Sequence, residues 1–167
     1  MRIYKQLKAN NITLKKRNFE RELLLEAFLI QNEEILAIEG LDTENSPEVT
    51  SFEHTVKKGE GSDSNGRIDL IIKYDNTIGI AELKKEEVNH ETINQLNDYI
   101  GAANVQRIIS ELRVVSGNAE IFEDDAPRLG IVIGTSIDSK LANEIVNDEP
   151  APWREEGVEY AAIVINR

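Results

Sequence analysis

The chain reads as an α/β fold, a mixed central sheet with helices on both faces, and three observations predict it. Gly66 to Lys84, GRIDLIIKYDNTIGIAELK, is two apolar strands joined by a tight polar turn, apolar on both sides as a sheet covered on both faces requires. A helical stretch follows the hairpin, the crossover that a parallel strand needs. The C-terminal part then alternates strand, helix and strand.

In order along the chain, residues 18–36 (NFERELLLEAFLIQNEEIL) predict an amphipathic helix, with Leu24, Leu25, Phe28, Leu29 and Leu36 as its apolar positions. Pro47 and its polar neighbours mark a loop. Residues 48–56 (EVTSFEHTV) are β-rich and alternating, a first strand, and KKGEGSDSNG (57–66) is loop by composition. The hairpin comes next. From Glu86 to about Val105 a second helix is expected, with Val88, Ile93, Leu96, Ile100 and Ala103 as its buried stripe, and 106–115 either extends it or starts another element. An acidic loop spans 116–128. GIVI (130–133) is a short buried strand, a helix lies around 138–146, and VEYAAIVI (158–165) is a final strand.

The length of 167 residues fits one domain able to bury roughly 70% of its unfolded surface. The expected division is a basic N-terminal segment over 1–17 and a core from about 18 to 166. There is no cysteine, which excludes a disulfide framework, a thiolate metal site and a nucleophilic thiol, and is compatible with the cytoplasmic location expected here. No apolar run approaches the length of a membrane span, and the start lacks the apolar core of a signal peptide.

Net charge is −12, which opposes a nucleic-acid role, because phosphate binding depends on Lys and Arg displacing counterions. The charge is uneven. Residues 1–21 hold seven basic side chains against the single acid Glu20, leaving −18 on the remainder. Two readings of this segment stand: a solvated basic stretch that keeps the protein soluble, or an arm that contacts phosphates beside a site.

The site follows from the hairpin register. With Asp75 and Asn76 as the turn, Tyr74 faces Thr77, and stepping back puts Asp69 opposite Glu82 and Arg67 opposite Lys84. Residues two apart on a strand share a face, so all four project from one side. Two opposed carboxylates destabilise a sheet unless a cation sits between them. A divalent metal ion is the usual one, and the adjacent lysine points to hydrolysis of a charged ester, a phosphodiester.

Asp69, twelve residues and then Glu82-Leu83-Lys84, on two strands joined by a short turn and followed by Gln95-Leu-Asn-Asp-Tyr99 on the next helix, resembles the PD-(D/E)xK nuclease superfamily. The Gln-x-x-x-Tyr pattern is that of its RecB-like branch, and the stretch from Arg128 to Tyr160 is similar to the end of the catalytic domain in NucS-type endonucleases. The resemblance covers roughly residues 20–165. It implies a restriction-endonuclease-like αβββαβ core and a Mg²⁺- or Mn²⁺-dependent deoxyribonuclease serving DNA repair, restriction or mobile-element processing. Metal ligands would be Asp69, Glu82, the Leu83 carbonyl and Glu22, with Glu26 one turn on as a competing candidate for Glu22. Lys84 would orient or deprotonate the attacking water, and as a base its pKa would have to fall from about 10.4 towards neutrality. Gln95 and Tyr99 would position Lys84 or the substrate, and Arg67 would contact phosphate or pair with a carboxylate. Ile68 stands where the superfamily has proline, Glu33 follows Asn32 where relatives often have proline, and there is no room for the additional DNA-binding domain of NucS-type enzymes. The implied partner is DNA, with a homodimer or larger complex and no membrane.

Other features carry plainer readings. Lys85 points away from the site and is a surface lysine. His54 and His90 are too far apart in sequence to suggest a zinc site or a Ser-His-Asp triad and read as surface or packing residues. Glu120, Glu123, Asp124 and Asp125 lack EF-hand spacing, and Trp153 reads as a loop anchor. The alternative function is a catalytically silent module that keeps the nuclease fold and binds DNA or another protein.

Overall fold

The computed structural model describes residues 3–6, 8–9, 12–13, 22–57, 65–148 and 150–165, the first three stretches as backbone only. Three short strands come first, β1 (Ile3–Gln6), β2 (Lys8–Ala9) and β3 (Ile12–Thr13), followed by α1 (Glu22–Gln31) and a 3₁₀ turn (Glu33–Leu36). An antiparallel meander follows, β4 (Glu48–Lys57), β5 (Asn65–Tyr74) and β6 (Thr77–Leu83). Then come β7 (Glu87–Val88), α2 (His90–Ile100), α3 (Ala102–Ser116), β8 (Arg128–Gly134), β9 (Ser136–Ile137), α4 (Ser139–Val146) and β10 (Val158–Ile165).

The main sheet has the order β1-β10-β8-β6-β5-β4. Strands β1, β10, β8 and β6 run parallel, and β6, β5 and β4 antiparallel, so the sheet is mixed as expected. Two apolar layers cover it. Leu25 and Leu29 of α1, with Ile35 and Leu36, pack on Leu70, Ile72, Leu83, Ile131 and Ile163. Helices α2, α3 and α4 pack on the other face through Ile93, Leu96, Ile108 and Leu141 against Ile71, Ile78, Ile80 and Val132. This is the αβββαβ arrangement with helices on both faces.

Several boundaries differ from expectation. The first helix ends at Gln31 rather than continuing to 36, and residues 18–21 lie outside the described residues. Asn32 leaves the helix at φ −137° while its side-chain amide donates to the Phe28 carbonyl at 2.7 Å, which ends the turn, and Leu24 is exposed rather than buried. The second helix starts at His90, not Glu86. Asn89 caps it by accepting from the backbone N–H groups of Glu91 and Thr92, so Val88 is buried from a strand, β7, paired to β9. This helix stops at Gly101, whose extended backbone (ψ 147°) redirects the chain into α3, and Ala103 is exposed on the new axis. Residues 106–115 therefore belong to a separate helix. Within the basic N-terminal segment the backbone at 3–6 forms a strand beside β10, whereas its side chains, and with them the phosphate-contacting arm, lie outside the described residues.

Candidate functional site

The hairpin register holds from Tyr74–Thr77 as far as Leu70–Ala81. There the ladder ends, and Glu82 and Leu83 pair only with Val132 and Ile133 of β8. The next pair along would be Asp69 and Glu82. Instead of a backbone bond, Asp69 Oδ2 accepts the Leu83 N–H at 2.8 Å, so the carboxylate takes the place of the missing strand partner. The β5–β6 ladder does not extend to an Arg67–Lys84 pair. Arg67 pairs with Thr55 of β4, and its guanidinium donates from Nη1 to Glu53 Oε1 at 2.7 Å, with Nη2 3.7 Å from Asp69 Oδ1. The expected charge set is thus split between two strand pairs.

The reason lies in β4. Phe52 pairs with Leu70 and His54 with Ile68, which leaves Glu53 and Asp69 opposite one another and outside the ladder. Glu53 has φ +50°, a left-handed value uncommon for a residue with a side chain. Ordinary alternation would put Ile68 and Leu70 on one face. Here Leu70 lies in the α1-side layer and Ile68 in the α2–α3-side layer. The ribbon turns over between them, and Asp69 sits at the seam where both layers and β6 can reach it. Three neighbouring strands therefore each bring a carboxylate to this seam, Glu53, Asp69 and Glu82, with Arg67 and Lys84 as their cations.

Burial and like charge set the electrostatics. Glu82 is 8% exposed, and burial, together with the Asp69 charge, pushes its carboxyl up to about 7. Burial likewise raises Asp69, against the opposing pull of the Leu83 N–H, Arg67 and Lys84. Lys84 Nζ donates to Glu82 Oε1 at 3.0 Å. Burial alone would lower the Lys84 pKa, but the Glu82 hydrogen bond and the charges of Glu82, Glu22 and Asp69 outweigh it and raise it. The lysine is accordingly a protonated donor at neutral pH, and the fall that a base would need is absent from the chain by itself.

Glu22 is exposed at the start of α1, and its charge reaches Asp69, Glu82 and Lys84. Glu26, one turn on, is 6% exposed, with its carboxyl raised by burial and by Glu53 and Asp69. Gln95 and Lys84 line one cavity of about 220 Å³ with Asn89, Thr92 and Glu87. Gln95 Oε1 is buried there and has no hydrogen-bond partner among the described residues. Tyr99 is 5% exposed and belongs to the core between α2 and the sheet; it does not line this cavity. Lys85 is exposed beside Glu86. His54 bonds Glu111 and Ser51, while His90 and Trp153 both bond Glu144, so the histidines tie elements together and the tryptophan anchors its loop against Tyr160. Glu53 is the site residue that the sequence did not disclose. Its signal is the β4–β5 pairing, which cannot be counted through residues 57–66 or past the register shift between Val49 and Ser51.

The acidic side chains at the seam, Glu53, Asp69 and Glu82, offer carboxylate oxygens, the kind of donor that suits a hard divalent cation. Among the described residues no group of three or more His, Cys, Asp or Glu side chains is already arranged to hold a metal ion. Nor, among them, is any helix long and apolar enough to cross a membrane.

No family model matches the chain, and no curated protein matches it either. Two solved structures are similar to it. One is a repair endonuclease from Pyrococcus abyssi, 15% identical over 91% of this chain and 50% of that one, at a TM-score of 0.48. The other is described as an EndoMS–dsDNA2 complex, also 15% identical over 91% and 50%, at a TM-score of 0.42. The chain spans about half the length of each.

Proposed function

We propose that the protein is a metal-dependent deoxyribonuclease that hydrolyses phosphodiester bonds in DNA repair, restriction or mobile-element processing. The observation that carries the reading is a pair of carboxylates with raised pKa, the half-buried Asp69 and the buried Glu82, held beside a protonated lysine where a hairpin ladder opens. Charge kept apart from solvent in this way is relieved by a cation. Asp69, Glu82, the Leu83 carbonyl and Glu22 would hold Mg²⁺ or Mn²⁺, and Glu26 supplies a further oxygen donor from α1. The metal, when bound, would lower the pKa of a water and stabilise charge on the phosphate. Lys84 would orient that water or a phosphate oxygen as a charged donor. Gln95, with its unpartnered carbonyl oxygen in the Lys84 cavity, would position either one, Tyr99 would hold α2 against the sheet behind it, and Arg67 would contact the DNA backbone. The partner is DNA, with a second copy of the chain or a larger complex supplying the remaining contacts.

The test is cleavage of labelled single-stranded, duplex and branched DNA with Mg²⁺ or Mn²⁺. Wild type cleaves, and Glu82→Ala and Lys84→Ala each lose at least about 10²-fold in kcat, the scale of one missing electrostatic contact to a transition state. Cleavage undiminished in both variants would place the activity elsewhere. A second reading, the silent nuclease-fold module, is favoured by one observation, that no three-ligand group stands ready among the described residues. It predicts DNA binding with Ca²⁺ and no cleavage with any metal.

A further inference from the structure

The carboxylate of Glu53 has no place in the reading above, yet it stands at the seam on a backbone that costs stability to hold. We infer that Glu53 is a positioning residue: it fixes Arg67 at the rim of the site so that the free edge of the guanidinium meets a phosphate of the bound strand. This rests on the proposed deoxyribonuclease reading and deepens it.

Three features of the structure support it. Glu53 takes φ +50° in the middle of a strand, between the Phe52–Leu70 and His54–Ile68 pairs, where a β conformation is available to any residue. Strain of this kind persists where the surroundings over-determine it. The result of the strain is specific, since Glu53 Oε1 lies 2.7 Å from Arg67 Nη1. Next, Arg67 is 53% exposed, and among the described residues its other edge has only a distant contact, Nη2 at 3.7 Å from Asp69 Oδ1. A guanidinium has five donors in a planar fork suited to phosphate, and with Nη1 anchored on Glu53 the Nη2 edge lies toward the seam. Finally, surface ion pairs contribute little to stability, so a pair between two half-exposed side chains does not account for the strained backbone by itself. Anchoring removes rotamer freedom before the strand arrives, so less is lost on binding.

The test is a cycle of Glu53→Gly, Glu53→Gln, Arg67→Ala and the double variant Glu53→Gly with Arg67→Ala. The substrate is whichever labelled oligonucleotide wild type cleaves; the readouts are KM, kcat and Tm. Glycine adopts φ +50° without strain, so Glu53→Gly folds with Tm unchanged or raised by about 2–4 °C. Its KM rises about five- to tenfold, with kcat within twofold. Glu53→Gln keeps an oxygen acceptor for Arg67 and stays within about threefold of wild type. In the Arg67→Ala background, Glu53→Gly has no further effect. A KM unchanged in Glu53→Gly, or a full second loss in the double variant, overturns the inference while leaving the nuclease reading intact. If wild type binds with Ca²⁺ but does not cleave, Kd takes the place of KM with the same expected ratios. A wild type that neither cleaves nor binds overturns both.

Discussion

Glu82 is a carboxyl group that the fold holds against its own charge. Its pKa of about 7 stands above the ordinary 4.5 because burial and Asp69 disfavour the ionised form. Between those two values the folded state binds more protons than the unfolded one, so this group's contribution falls as pH rises from 4.5 to 7 and then stays at its full cost. In metal-free protein with EDTA, Glu82→Gln should therefore match wild type below pH 4.5 and melt roughly 7–14 °C higher at pH 8.5. Thermal denaturation across that range checks it, and a constant difference at all pH values would mean that titration is not the cause. Asp69, Glu82 and Lys84 were legible as a group because a two-residue turn, with Asp75 at φ +52°, leaves the register of β5 and β6 nothing to slip on. The Asp75 carboxylate also accepts from Asn45 Nδ2 and the Glu44 N–H, which pins the turn. What the register could not convey is the turnover at Asp69. Counting by twos assumes an even pleat, and Glu53 breaks it from a neighbouring strand.

At the scale of elements, α2 is the piece that links packing to chemistry. It carries Gln95 on one side and Leu96 on the next, and Leu96 seats on β8 where Gly130 has no side chain. A Cβ there would come within 2.9 Å of the Tyr160 ring and 3.0 Å of Leu96 Cδ2, contacts that force something to move. Gly130→Ala should cost about 1–3 kcal/mol by denaturant melt and should also lower kcat, because α2 carries Gln95 away with it. A variant that loses stability and keeps full kcat would show that Gln95 is not needed at its present position. Helix content was legible here from the 3.6-residue stripe, whereas the ends were not. Glu86 and Glu87 look helical beside Val88, and only the Asn89–Thr92 reciprocal cap and the β7–β9 pairing reveal where the helix starts. The break at Gly101 is a backbone choice that hydrophobic spacing does not record.

For the whole molecule, the expected order of helix, three strands, helix, strand, helix and strand is present, and the alternation of buried strands with amphipathic helices was enough to foresee it. The seam keeps two cations, Arg67 and Lys84, close to its acids. The strand of the main sheet that the sequence concealed, β1, has four residues, and its partner lies at the other end of the chain, Ile3 beside Ala162 and Gln6 beside Ile165. That pairing bears on how the molecule folds. Strands β4, β5 and β6 join through neighbours along the chain, while β1 can add to β10 only after nearly the whole chain has been gathered, at the largest loop-closure entropy in the sheet. Among the described residues it is also an outermost strand of that sheet, with a single partner. Amide hydrogen exchange should show β1 opening independently and well before β6 and β8, which are flanked on both sides, with protection lower by at least about tenfold. Equal protection in all three would mean that the chain opens as one cooperative unit, from its first strand to its last.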